Sequence, residues 1–326
     1  MKNKIVVFAV ILILIIIAIV LYSYLGAKKA PVSSSNTIFS GQTLGVAVSE
    51  NNAYFVSDNT LISQNLNDKT QDTIAKFDDK VSEVDYSPDH RYVHIATRGN
   101  DYKNWIVDIG AKDKKEIDGC AAAFGWTKEN ENYVYNCVIQ KEEYDPDTVN
   151  SLTNNWGQKL ADLKVDPPLK IWSLDKDQIL ILTASPGYNT NDLLMLNTGN
   201  NEYKNLTQNG FVKNAIATDD FSAAIYTYGE NQLKVGLIDL ASGKITGLGD
   251  VGSKDTFAFD GQNNLYIAKT NSSGLLESVE KLSLRNPAQK ETVYQAKTPT
   301  LKANQIDIWQ NNLLVATDSN LVMISL

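Results

Sequence analysis

Residues 84–97 read VDYSPDHRYVHIAT. A short apolar strand ends in an aromatic residue and a small polar one, a polar turn follows, and a second apolar strand returns. Pro and Asp in the turn favour a tight reversal, and β-branched and aromatic residues on either side favour extended chain. The same grammar recurs as VAVS-ENN-AYFVSD from Val46, AAFGW-TKENEN-YVYNCV from Ala122, KIWS-LDKD-QILILT from Lys170 and NAIAT-DDFS-AAIYTY from Asn214. It returns again as FAFD-GQNN-LYIAKT from Phe257 and DIWQ-NN-LLVATD from Asp307. A spacing of roughly 40 residues marks a repeat architecture in which each unit buries its faces against its neighbours.

Each unit continues into a third strand, such as NWIVDI from Asn104 or QLKVGLIDL from Gln232, and a short fourth strand, such as DTIAKF from Asp72 or YKNLT from Tyr203. Four antiparallel strands per unit with few intervening helices is the pattern of propeller blades. The last unit stops at Leu326 after its third strand, while Thr37-Ile38-Phe39 is a β-prone piece ahead of the first complete unit. If that piece supplies the missing strand, the ring is closed and no sheet edge is left to template aggregation. The expected fold is therefore an all-β, seven-bladed β-propeller (six or eight blades being the neighbouring counts) closed by N- and C-terminal strands. The blades fall at about 42–77, 81–117, 120–166, 168–206, 211–248, 255–294 and 303–326 with 36–40.

Ahead of the repeats, residues 5–25 form an apolar run long enough to cross a bilayer at about 1.5 Å per residue. It is longer than a signal-peptide core, lacks an A-x-A-like exit and ends in Tyr22 and Tyr24, which suit the interfacial belt. The reading is a short cytoplasmic tail at 1–4, a single transmembrane helix at 5–25, a linker at 26–35 and the propeller at 36–326. The protein is then a single-pass cell-membrane protein with the bulk of the chain extracytoplasmic. Lys2 and Lys4 against Lys28 and Lys29 make the charge bias close to balanced.

The formal net charge is -8, and no run of Lys or Arg goes beyond Lys28–Lys29. Phosphate backbones are bound by clustered cations, so nucleic acid is not an expected partner. Two Cys, two His and three Met give little material for zinc, haem or iron–sulfur sites. No catalytic, cofactor-binding or metal-ligating set is read, and no cofactor is expected. Gly247-Leu248-Gly249-Asp250-Val251-Gly252 matches G-x-G-x-x-G, but strand-like residues follow where the dinucleotide motif needs a helix, so it reads as an inter-blade loop. Asp145-Pro146-Asp147 and Asp175-Lys176-Asp177 alternate carboxylates without continuing into a calcium loop.

Two local expectations follow. Counting outward from a hairpin turn near Lys128 places Cys120 across from Cys137, so a disulfide is expected, in keeping with an oxidising compartment. In the third unit Val149, Leu152, Trp156, Leu160 and Leu163 recur at three- and four-residue steps, which predicts a helical insertion at about 145–166. An apolar or aromatic patch there, with Tyr144, Trp156 and Leu160, is the expected contact for a protein partner. The residues ending the first strands (Val48, Tyr86, Trp126, Trp172, Ala217, Phe259 and Trp309) form a column expected to pack between neighbouring sheets.

At Ser87-Pro88-Asp89-His90-Arg91-Tyr92 the repeat resembles TolB-type and WD-type β-propellers, with His90 where the TolB-type motif usually has Gly. The resemblance implies a rigid binding platform. The expected function is thus a membrane-anchored, non-enzymatic scaffold for protein or envelope polymer, the alternative being a propeller hydrolase or lyase with its site in the central channel.

Overall fold

In the computed structural model the described residues are 35–326 apart from 118–120, 129–131, 140–148, 164–167, 176, 185–190, 209, 219, 231 and 261–262. They form seven four-stranded antiparallel sheets. Six are built from consecutive strands, spanning residues 44–76, 80–117, 121–162, 170–205, 212–250 and 256–295, here blades 1 to 6. Blade 7 takes three strands from residues 305–325 and its outer strand, Ser35–Ser40, from the other end of the described chain. That strand lies antiparallel on Asn320–Ser325, with Ser35 opposite Ile324 and Ser40 opposite Asn320. The closure expected from the missing fourth strand is therefore present.

The apolar core shows why the sheets form a ring. It divides into seven clusters, each held between two consecutive blades, and the sequence of clusters returns on itself. The cluster between blades 7 and 1, for example, joins Ile38, Trp309, Leu314 and Leu321 to Val46, Ala53 and Phe55. Every blade has two buried faces, as all-round burial in the second strands shows: Ile179 to Leu182 are all buried. The simple in–out alternation of a one-faced sheet is absent because no face of these strands meets water.

Polar side chains reinforce the closing seam. Gln305 accepts from the Val46 amide at 3.1 Å and donates to the Val46 carbonyl at 3.0 Å, using its amide as a strand partner. The indole N–H of Trp309 donates to the Glu50 carbonyl at 2.7 Å. The Gln64 side chain donates to the Ile38 carbonyl at 2.9 Å, tying the closing strand to blade 1 as well.

The repeated turn has one geometry in blades 2 and 5. The Ser87 hydroxyl donates to Asp89 Oδ1 and accepts from the Tyr92 amide, while Asp89 Oδ1 also accepts from the Arg91 amide. Thr218, Asp220, Ser222 and Ala223 repeat these bonds residue for residue. The fourth turn residue is left-handed in both, with φ of 56° at His90 and 53° at Phe221. This is why glycine suits that place in the motif. His90 offsets the strain by donating from Nδ1 to the Val48 carbonyl at 2.7 Å.

The helical insertion is not what forms. Residues Val149–Asn154 and Lys159–Asp162 are the third and fourth strands of blade 3. The second strand, Tyr133–Ile139, pairs from Val134 to Ile139 with Val149–Asn154. Its backbone donors and acceptors need that partner, and this demand overrides a weak helical period. The three- and four-residue steps arise because Leu152, Trp156 and Leu160 fall on strand, turn and strand. The G-x-G-x-x-G stretch likewise begins within a strand, Ile245–Asp250, the outer strand of blade 5. The run at 5–25 and residues 26–34 of the linker lie outside the described residues, and Ser35 opens the closing strand.

Candidate functional site

In an antiparallel blade the first-to-second and third-to-fourth turns open on the same side, so each first strand ends on a common face. Two cavities lie on that face and share the ends of the first strands of blades 3 and 4.

The outer cavity, about 410 Å³, runs between blades 3 and 4. Tyr133, Val134, Leu160 and Leu174 give it apolar surface, and Lys128, Asn132, Asn155 and Asp175 give it polar edges. Trp156 stands on its rim, 73% exposed. The turn that carries Trp156 is fixed by the buried Asn154, whose Oδ1 accepts from the amides of Trp156 (3.1 Å) and Gln158 (2.9 Å). Gly157 completes the turn at φ 75°, a conformation open to glycine at little cost. A large indole is thus displayed on a rigid loop. The structure brings Trp156 and Leu160 together at this cavity, on a turn and a strand rather than one helix face. Tyr144 lies outside the described residues.

The inner cavity, about 160 Å³, lies at the channel mouth and is lined by blades 2 to 5. Four members of the end-of-strand column meet here: Tyr86, Trp126, Trp172 and Ala217, joined by Phe221 and His90. The column is therefore divided. Trp126 and Trp309 are buried between blades as expected, whereas Tyr86 and Trp172 are half-buried and border open space. Trp126 donates its indole N–H to the Asp85 carbonyl at 3.3 Å, stitching blade 3 to blade 2. The first strand of blade 3 approaches blade 4 so closely that a Cβ on Gly125 would lie 2.1 Å from the Ile171 carbonyl oxygen.

Asp85 is a functional candidate that sequence reasoning misses, since one Asp in a strand carries no motif. Its carboxyl is open to channel water yet surrounded by protein on all sides. Burial pushes its pKa up to about 6, against a lowering by Lys170 of blade 4 and with a further rise from Glu83. Burial likewise raises the Tyr86 phenol well above its ordinary value, with Asp307 adding to the effect. The Tyr86 hydroxyl donates to the Gly45 carbonyl at 3.0 Å.

The remaining residues with candidate chemistry have structural roles. Asp175 Oδ1 accepts from the amides of Asp177 and Gln178, so its carboxylate caps a turn. His94 is buried, stacks on Phe124 at 4.0 Å and meets Asn104 Oδ1 at 2.8 Å. Asn205 gives its amide nitrogen to the buried Asp192 at 3.0 Å, so this nitrogen is engaged within blade 4. Ala121 is the register partner of Cys137, with a bulge before Ala123, and Cys120 lies outside the described residues. Among the described residues no group of three or more His, Cys, Asp or Glu is arranged to hold a metal ion.

No protein-family model matches the chain, and no curated protein matches it. Solved structures do. TolB from Acinetobacter baumannii superposes with a TM-score of 0.52 at 11% identity, covering 74% of this chain and 60% of that one. An oligogalacturonate lyase from Vibrio parahaemolyticus gives a TM-score of 0.65 at 8% identity over 90% and 97% of the two chains. The β-propeller domain of Cps50 (Swd1) from Myceliophteria thermophila gives 0.63 at 11% identity over 90% and 100%. The resemblance to TolB-type and WD-type propellers holds. At these identities it is a resemblance of fold alone.

Proposed function

We propose that this chain is a membrane-anchored, extracytoplasmic binding platform that takes a protein or an envelope polymer on its turn face. The observation that carries this reading is Trp156, 73% exposed on a rigid turn beside a cavity of about 410 Å³. Exposing a large indole forgoes roughly 2 kcal/mol of burial, and aromatic anchors on pre-ordered surfaces are where binding energy concentrates. The closing strand begins on blade 7, three blades around the ring from blade 3, so an anchor preceding Ser35 leaves the groove on the far side. A disulfide between Cys120 and Cys137 belongs to the same reading.

The test uses the chain in native membranes, with partners captured by crosslinking and quantified. Trp156→Ala, alone and with Leu160→Ala, is expected to cut capture at least tenfold. Trp156→Ala is expected to leave the melting temperature unchanged. Undiminished capture by the double variant refutes the reading.

The second reading, a hydrolase or lyase working in the channel, is favoured by Asp85 alone. A carboxyl titrating near 6 with Lys170 in electrostatic range is suited to proton transfer. It predicts turnover of a polymer substrate that Asp85→Asn abolishes and Trp156→Ala only weakens.

A further inference from the structure

We propose that the channel mouth on the turn face is a receptor for an organic cation, a substituted ammonium or guanidinium group seated against Asp85 and enclosed by Tyr86, Trp126 and Trp172.

The argument starts from what the lining offers. The Asp85 carboxylate makes no hydrogen bond or ion pair among the described residues, although blades 2 to 5 surround the cavity it lines. The donors around it are committed elsewhere. Tyr86 gives its hydroxyl to Gly45, Trp126 its indole N–H to the Asp85 backbone, and Ser87 its hydroxyl to Asp89. Thr218 gives its hydroxyl to Asp220, and His90 uses Nδ1 on Val48. Lys170 donates to Asn214 Oδ1 at 3.2 Å, so its ammonium is held by the neighbouring blade. An anion or a sugar needs several donors, and apart from the Trp172 indole N–H these are spoken for. One negative charge amid aromatic and aliphatic surface, with Ile216, Ala217 and Phe221 completing the wall, suits a cation with an apolar jacket.

Aromatic faces attract cations through their quadrupole, more strongly when the cation is desolvated. A carboxylate in a partly desolvated site adds a Coulomb attraction that water screens less than at an open surface. The cavity of about 160 Å³ is smaller than the usual range for drug-sized ligands, which limits the occupant to the end of a side chain or a small amine. Two sources share this chemistry: a Lys or Arg side chain of a partner, and a free quaternary ammonium.

The experiment titrates the full-length chain, solubilised in detergent, with choline, with its neutral isostere 3,3-dimethylbutan-1-ol, and with N-acetyl-lysine methylamide and N-acetyl-arginine methylamide. Binding is read by calorimetry at constant ionic strength. Choline or one of the amides is expected to bind with millimolar affinity, at least tenfold better than the isostere. Asp85→Asn and Trp172→Leu should each weaken it at least tenfold with melting temperatures within a few degrees of the parent, and Trp156→Ala should leave it unchanged. Binding should strengthen from pH 5 to pH 7. The other charged groups facing Asp85 are Glu83 on its own strand, His90 in the following turn and Lys170 on blade 4, with Asp307 near Tyr86. The pH dependence must therefore vanish in Asp85→Asn. Choline binding alone assigns the site to a free cation, and binding of the amides to a partner's side chain. Equal binding of the isostere, full binding by Asp85→Asn, or no binding by any probe overturns the proposal. None of these results depends on Trp156, so the proposal fails separately from the platform reading.

Discussion

Ring closure is tested most sharply at Ile38. This residue sits in the closing strand at 9% exposure, within the cluster that joins blade 7 to blade 1 through Phe55, Leu314 and Leu321. It falls where the pairing shifts register between Thr37 and Phe39, and its carbonyl receives the Gln64 side chain. Ile38→Ala removes three buried carbons, which at roughly 0.8 kcal/mol each costs about 2.4 kcal/mol in transfer free energy. A residual cavity between two stiff sheets adds to this, giving about 3 kcal/mol, within the range for such truncations. For a domain of this size that is a fall of about 6 °C in melting temperature at ~2 °C per kcal/mol. Urea unfolding of the chain followed by tryptophan fluorescence measures the loss directly. The exposed neighbour Asn36 is the control, and Asn36→Ala is expected to shift stability by less than about 0.5 kcal/mol. If Ile38→Ala unfolds at the same urea concentration as Asn36→Ala, the closing strand is not part of the cooperative unit and the reasoning fails. If closure holds, Ile38→Ala also increases aggregation, because loosening the outer strand uncovers the Asn320–Ser325 edge.

Further expectations follow from individual contacts. Burial pushes the His94 pKa down from its ordinary 6.5 to about 4, so the folded state resists the proton that the unfolded chain accepts. Stability is full above pH 6.5 and falls by about 3 kcal/mol as the pH drops to 4, at 1.36 kcal/mol per unit; His94→Gln, measured by urea midpoints across that window, should flatten the slope. Gly125→Ala drives a methyl into the Ile171 carbonyl and should cost about 3 kcal/mol by parting blades 3 and 4, whereas a loss under about 1 kcal/mol in denaturant unfolding would contradict the close approach. Non-reducing mass mapping of freshly prepared protein should recover Cys120 and Cys137 in one linked peptide pair, and two free thiols would defeat that bond.

The channel and the groove make different uses of the same fold. Trp126 and Trp309 bond their indole N–H groups to the neighbouring blade, Trp126 while also lining the inner cavity, whereas Trp172, the same residue type at the same blade position, is half-buried against the cluster between blades 4 and 5 and borders that cavity. The difference lies in the neighbour. Blade 5 presents Ala217 at the end of its first strand, and that small side chain leaves room beside Trp172 where a larger one would fill it.

Much of this architecture is local and therefore legible in the chain. The turn at 87–92 announces itself because Ser, Asp and a left-handed fourth residue bond within six positions, and each of blades 1 to 6 needs only its own forty or so residues to pair. The last unit's missing fourth strand and the β-prone residues 37–39 are enough to imply closure, since an unpaired edge is costly wherever it lies. The strands at 149–154 and 159–162 cannot be read this way. Ser151, Leu152 and Asn154 are all buried, so alternation is lost in the first, and the second is an outer strand of four residues, too short to show a period; what decides them is the edge of Tyr133–Ile139 that demands a partner. Asp85 and Trp172 are equally silent in the sequence. Nearly ninety residues apart, they meet only because four blades converge on one axis, and a carboxylate acquires its unusual pKa from what surrounds it rather than from its sequence neighbours.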